Sequence, residues 1–226
     1  MPDLSRWVVA LDLDDTLISE RQYLVSGIAA VESHLESVHS CSMTGVLMAA
    51  HRNGIGDLWG YACMLLELPS SVAESLLWVY RLHTPVLQLL PGIDLLLSDL
   101  QAHGAQLVVL TDGRSISQRL KLHAVGLQHL RVLISEEWQS TKPSPERFLA
   151  IEGLWPNRCY ATIADNPIKD FVCPNQRGWL SLGAAWCSDP VHLVPRQSVR
   201  SPEDPGTEML PDVWLSQPRE VIPWLT

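Results

Sequence analysis

Apolar and polar positions along the chain follow two different rhythms. Residues 6–11 are an almost unbroken apolar run, Trp7-Val8-Val9-Ala10-Leu11, of the kind that fills a buried strand. From about Leu17 to Leu90 the spacing becomes helical. Val25, Ile28, Ala29 and Val31 share one helix face, Leu58, Ala62, Leu65 and Leu66 a second, and Val72, Leu76, Val79 and Tyr80 a third. The turn His51-Arg52-Asn53-Gly54-Ile55-Gly56 separates two of these helices, and Pro69-Ser70-Ser71 starts another. Beyond Pro85 and Pro91 the pattern alternates again. It predicts a helix over 93–102, a strand over 106–111, a helix over 115–124 stopped at Gly126, and a strand over 131–135. A helix over 145–152, a strand over 159–164, a short helix from Pro167 and a strand over 179–182 follow. Apolar strands alternating with helices predict an α/β fold, a parallel sheet covered on both faces. The strand-free stretch 17–90 reads as an inserted helical unit. The tail from Ser201, with Pro202, Pro205, Pro211, Pro218 and Pro223, is expected to be a surface wrap packed by Trp214 and Trp224.

Composition narrows this picture without redirecting it. The 226 residues are 46% hydrophobic and 18% charged, enough to build one large domain or a core with a modest insertion. A formal charge of −9 argues against non-specific binding to nucleic acid or an anionic membrane, so neither is expected as a partner. A small phosphorylated substrate stays admissible, because a bound cation and a few donors reverse the field inside a cleft. The N-terminal residues suggest no signal peptide, and no apolar run approaches membrane-spanning length. Five cysteines without Cys-x-x-Cys spacing read as buried thiols in a reducing compartment, which makes a cytoplasmic location the expectation.

Chemistry enters at the strand ends. In an open parallel sheet, functional residues gather beyond the carboxyl ends of the strands. The first strand ends in Asp12-Leu13-Asp14-Asp15-Thr16, two carboxylates delivered into one small space. Such charges repel unless a cation or a shared proton sits between them, and oxygen-only donors favour a hard cation such as Mg²⁺. The plainer reading is an acidic turn with Asp15 or Thr16 capping a helix. The second strand ends at Thr111-Asp112-Gly113, a turn suited to cradling phosphate. Lys142-Pro143-Ser144-Pro145 follows the third, and the fourth ends at Asp165-Asn166 with Asp170 five residues on. Hydroxyl, lysine and carboxylates therefore project from one edge of one sheet.

In this order the residues resemble the four motifs of the haloacid dehalogenase (HAD) superfamily: Asp12-x-Asp14-x-Thr16, Thr111, Lys142, and Asp165 with Asp170. The segments Tyr80-Arg81-x-His83-x-Pro85, Thr111-Asp112-Gly113-Arg114-x-x-x-Gln118 and Asp165-Asn166-Pro167-x-Lys169-Asp170-Phe171 are similar to a subset of its hydrolases. One departure is Ala164, where the family often has glycine. The resemblance implies a Rossmann-like doubly wound core over 1–16 and 91–226, with 17–90 as an inserted all-helical, C1-type cap. It implies a phosphatase in which Asp12 is the nucleophile and Asp14 the acid and base. Mg²⁺ would lie on Asp12, Asp165 and the Asp14 carbonyl. Thr111, the Gly113 amide and Lys142 would hold the transferring oxygens, with Asp112 in the same turn. Asp170 would orient Lys142 or a metal-bound water, with Asn166 and Thr16 in supporting places. For substrate contacts the candidates are Tyr23, Arg81, His83 and Arg114, the two arginines as a seat for a second anionic group. The expected substrate is a small phosphorylated metabolite such as a sugar phosphate or nucleoside monophosphate. A phosphomutase and a catalytically silent binding protein on the same scaffold are the alternatives, and monomer and homodimer both stay open.

Overall fold

The computed structural model describes residues 2–191, 198–201 and 203–226. Six strands form one wholly parallel sheet: β1 (Trp7–Leu11), β2 (Gln106–Thr111), β3 (Arg131–Ile134), β4 (Cys159–Ala164), β5 (Leu180–Ala184) and β6 (Val213–Leu215). Their spatial order is β3-β2-β1-β4-β5-β6, which puts the first strand in the middle. Sheet pairing runs past the end of β1, where the Asp12 amide donates to the Ile163 carbonyl at 2.9 Å.

Side-chain alternation along the strands sorts the core. Val9, Leu11, Leu107 and Val109 enter one apolar layer, and Val8, Ala10, Val108 and Leu110 enter another on the opposite face. The first layer packs under the helices α5 (Ile93–Ala102) and α6 (Ser115–Ala124). Phe148 and Ile151 of α8 (Glu146–Leu154) help fill the second, where the Phe148 and Trp179 rings meet edge to face at 5.5 Å. The short α7 (Ser135–Trp138) follows β3 directly, and α9 (Pro167–Asp170) and α10 (Val172–Gln176) join β4 to β5.

Between β1 and α5 the named elements are all helices: α1 (Glu20–His39), α2 (Val46–Arg52), α3 (Leu58–Leu65) and α4 (Val72–Leu82). They close around an apolar cluster of their own, including Ile28, Val31, Leu35, Leu47, Ala62 and Leu76. Helices α1 and α4 pass so closely that a Cβ on Gly27 would stand 2.4 Å from the Tyr80 ring. Ser19 caps α1 by accepting from the Gln22 amide, and Asp15 supports the same turn by accepting from the Glu20 amide at 2.9 Å.

Three elements differ from the sequence expectation, the smallest being α7, which begins at Ser135 where the strand was expected to continue. Helix α2 was not foreseen, because its first turn is capped from a distance: the Glu32 carboxylate on α1 accepts from the amides of Gly45, Leu47 and Met48. The tail is more than a wrap, since Val213–Leu215 adds the sixth strand beside β5. Three residues between proline-rich flanks carry too little alternation to read as a strand. Trp214 packs there, its ring over Gly183 and edge to face with Phe171 at 6.0 Å, whereas Trp224 is largely exposed. Pro202 lies outside the described residues. Among the described residues, no helix is long and apolar enough to cross a membrane.

Candidate active site

The carboxyl ends of β1, β2 and β4 open onto one small cleft of about 90 Å³. It is lined by Asp12, Asp14, Asp15, Glu20, Thr111, Asp112, Lys142, Asp165, Asn166, Lys169 and Asp170. That is the space of a few water molecules, enough for a phosphoryl group and not for a whole sugar phosphate. Each residue arrives for a local reason. Asp12 continues β1, and Thr111 is the last residue of β2. Asp165 follows β4, and Asn166 caps α9 by accepting from the Ile168 amide at 3.1 Å. That cap aims Asp170 back at the cleft, where it accepts from the Asn166 amide at 3.0 Å.

Lys142 stands at the centre. Its ammonium pairs with Asp12, lies 2.5 Å from Asp170 and donates to the Leu110 carbonyl at 3.3 Å. Burial opposes its charge, but Asp12 and Asp170 together hold it protonated well above the ordinary lysine range. Burial also pushes Asp12 up, to about 7, against the pull of Lys142 and with Asp170 and Asp14 adding to the rise. Asp165 is pushed up to about 8, by burial first and then by Asp12 and Asp170. One ammonium serves more negative charge than it can neutralise.

The donor set fits Mg²⁺. One carboxylate oxygen of Asp165, Oδ2, is buried with no hydrogen-bond partner, and Thr16 approaches the other only at 3.5 Å. Among the described residues no three His, Cys, Asp or Glu side chains converge as a ready chelate. Two carboxylates with a backbone carbonyl and waters are nonetheless the usual seat of Mg²⁺, which keeps much of its hydration. Asp12 and Asp165, with the Asp14 carbonyl, would hold it. The Asp14 side chain turns elsewhere, both oxygens lying 2.8 Å from the Lys121 ammonium.

The turn after β2 is held from below. Arg147, fully buried on α8, pairs with Asp112 and donates to the Thr111 carbonyl at 2.8 Å. Asp112 in turn accepts from the Lys142 amide at 3.2 Å. Gln118 donates to the Thr111 hydroxyl, the Asp112 carbonyl and Asp14. The Gly113 amide is already engaged, donating to the Ser135 hydroxyl at 2.9 Å, so it is not presented as an anion donor.

Of the expected substrate contacts, only Asp112 reaches the cleft wall. Arg114 is exposed and paired with Glu136 at 2.6 Å, and Arg81 lies over the Trp78 ring at 5.2 Å. His83 is buried, bonded to the Tyr80 carbonyl and the Ser26 hydroxyl, and burial lowers its pKa. Tyr23 is buried against Tyr80, His83 and Lys121. The seat for a second anion expected of Arg81 and Arg114 is therefore not assembled. Sequence reasoning also passed over Arg147 and Lys121. The signal for Lys121 was present: with Ser117, Gln118 and Leu122 it falls on the buried stripe of α6, an unusual place for a lysine.

No family model matches the sequence, and no curated protein does. Solved structures do. YfnB of Bacillus subtilis, described as a HAD-hydrolase and solved with magnesium bound, is similar at TM-score 0.62 and 18% identity over 98% of this chain and 99% of that one. The 2-haloacid dehalogenase of Pseudomonas syringae gives 0.61 at 18% identity, with 96% of each chain covered. A HAD phosphatase from Thermococcus onnurineus gives 0.57 at 22%, over 96% of this chain and 97% of that one. The chain has the haloacid dehalogenase fold, a Rossmann-like α/β sheet with helices inserted after the first strand.

Proposed function

We propose that the chain is a Mg²⁺-dependent phosphomonoester hydrolase of the HAD type. Its substrate is a small phosphorylated metabolite, of the size of a sugar phosphate or nucleoside monophosphate. The observation that carries this reading is the convergence of Asp12, Lys142, Asp165 and Asp170, from three separate stretches of chain, on one buried cleft at the strand ends. We read 1–16 and 91–226 as the catalytic core and 17–90 as its cap. The separate apolar cluster of the helices supports that division. The cleft's small volume supports it too, since a leaving group must project outward toward the helices or solvent.

The chemistry then follows from the positions. An oxygen of Asp12 attacks phosphorus while the bond to the leaving oxygen breaks, and Asp14 gives that oxygen a proton. The product alcohol leaves an aspartyl phosphate. Water attacks the same phosphorus, its proton passes to Asp14, and phosphate departs to restore Asp12. Lys142 and Thr111 stabilise the charge that spreads over the phosphoryl oxygens. When bound, Mg²⁺ neutralises charge on nucleophile and phosphoryl group alike. The deciding experiment is phosphate release from a panel of sugar phosphates, nucleotides and phosphorylated acids, with Mg²⁺ or EDTA, for wild type and Asp12→Asn. Mg²⁺-dependent release that Asp12→Asn abolishes is the expected result. Absence of release from every compound by folded, Mg²⁺-bound protein overturns the reading.

A further inference from the structure

The Lys121 ammonium lies in the seam between α6 and α1. Its side chain is only 6% exposed. On one side it contacts both oxygens of Asp14 at 2.8 Å, and on the other it faces the Tyr23 ring at 4.3 Å. One turn earlier on α6, Gln118 adds a 3.2 Å hydrogen bond to the Asp14 Oδ2. Tyr23 is itself backed by Tyr80 at 5.5 Å and His83 at 5.0 Å, from the far end of the helical insertion. A buried ammonium is costly unless it is paired, and here a carboxylate and an aromatic face surround it.

We propose that Lys121 is the positioning residue for Asp14, with the Tyr23 ring as its backing. The inference rests on the hydrolase reading above. Asp14 sits on a loop, free to rotate about two side-chain bonds. Two equal contacts to one ammonium fix the plane of its carboxylate at the cleft edge, where a proton must pass to the leaving oxygen. The arrangement also separates two jobs. Lys142 is committed to Asp12 and Asp170, so a second cation keeps the acid from competing with the nucleophile for one ammonium. Because Tyr23 belongs to the insertion, the acid is set in place only where α1 lies against α6.

The test compares two esters in one protein. An alkyl phosphate, the best from the panel, needs its leaving oxygen protonated. p-Nitrophenyl phosphate expels a delocalised phenolate and needs that proton far less. In Lys121→Met, kcat/KM, which reports only the steps through departure of the leaving group, should fall at least about tenfold further for the alkyl ester than for the nitrophenyl ester, within the span general acid catalysis supplies. Lys121→Arg, which keeps the charge and two donors, should regain part of the loss. The ratio between esters cancels any fraction of misfolded protein, so poor folding does not imitate the effect. Equal losses on both esters overturn the inference and leave the hydrolase reading standing. Absence of wild-type release from either ester removes both.

Discussion

Asp12 and Asp165 stand in the folded protein with pKa values of about 7 and about 8, against 3.8 for a free carboxyl, because burial and their neighbours oppose the anions. The sign of the resulting pH dependence follows. A group whose folded pKa is raised binds more protons when native, so its stabilising contribution is complete at low pH and is lost as pH rises through the folded value. Metal-free protein should therefore lose stability progressively as pH rises from about 3.8 to about 8, and saturating Mg²⁺ should flatten that decline by supplying the missing positive charge. Urea midpoints in EDTA and in Mg²⁺ across the window measure it; identical slopes would show that no cation binds these carboxylates. His83, whose pKa burial lowers, contributes a slope of the opposite sign, but it is present with and without Mg²⁺ and cancels in the comparison. At this scale the core motif residues were legible because each follows a strand in sequence. Arg114 and Tyr23 were not, since nothing local indicates that Glu136 and Lys121 occupy them, whereas Arg81 and Trp78 form an i, i+3 pair on one helix that the sequence does show.

At the scale of elements, most boundaries were written into periodicity. The helices Ile93–Ala102 and Ser115–Ala124 match their sequence expectations, being ten residues each with clear polar and apolar faces. Helix α2 shows the opposite case. Its N-terminal amides are satisfied by Glu32, 13 to 16 residues earlier in the chain and buried. Replacing Glu32 by Ala strands those donors, and should cost about 1.5–3 kcal/mol in urea unfolding, the range for bonds to a charged acceptor. A surface carboxylate in the same helix should cost under about 0.5 kcal/mol. The tail strand β6 was invisible for a related reason. Asp212 accepts from the amide and hydroxyl of Ser181, and Trp214 covers Gly183, so the partner strand supplies the order that three residues lack.

For the whole molecule, the tail is part of the core. Leu215, Val221 and Leu225 belong to the same apolar layer as Leu182, Ala184 and Ile93, and Trp186 donates to the Thr16 carbonyl behind the loop that follows β1. Asp15 draws that connection tighter by accepting from the Val191 amide at 2.7 Å. Leu225→Ala should accordingly destabilise the full chain by about 2–5 kcal/mol, as for a buried leucine. A tail resting loosely on the surface would show almost no change in the urea midpoint.

Sequence by itself determined the parallel sheet, the helical insertion and the carboxylates at the strand ends. Those features depend on alternation and on the order of residues, which are local and survive without a fold. Only the tertiary structure decided which charges meet. It gave Asp12 and Asp170 to Lys142, Asp112 to Arg147, and Asp14 to Lys121 beneath Tyr23, pairings that join residues from 28 to 130 positions apart. Burial sets the strength of those contacts, and burial is a property of the assembled layers rather than of any segment.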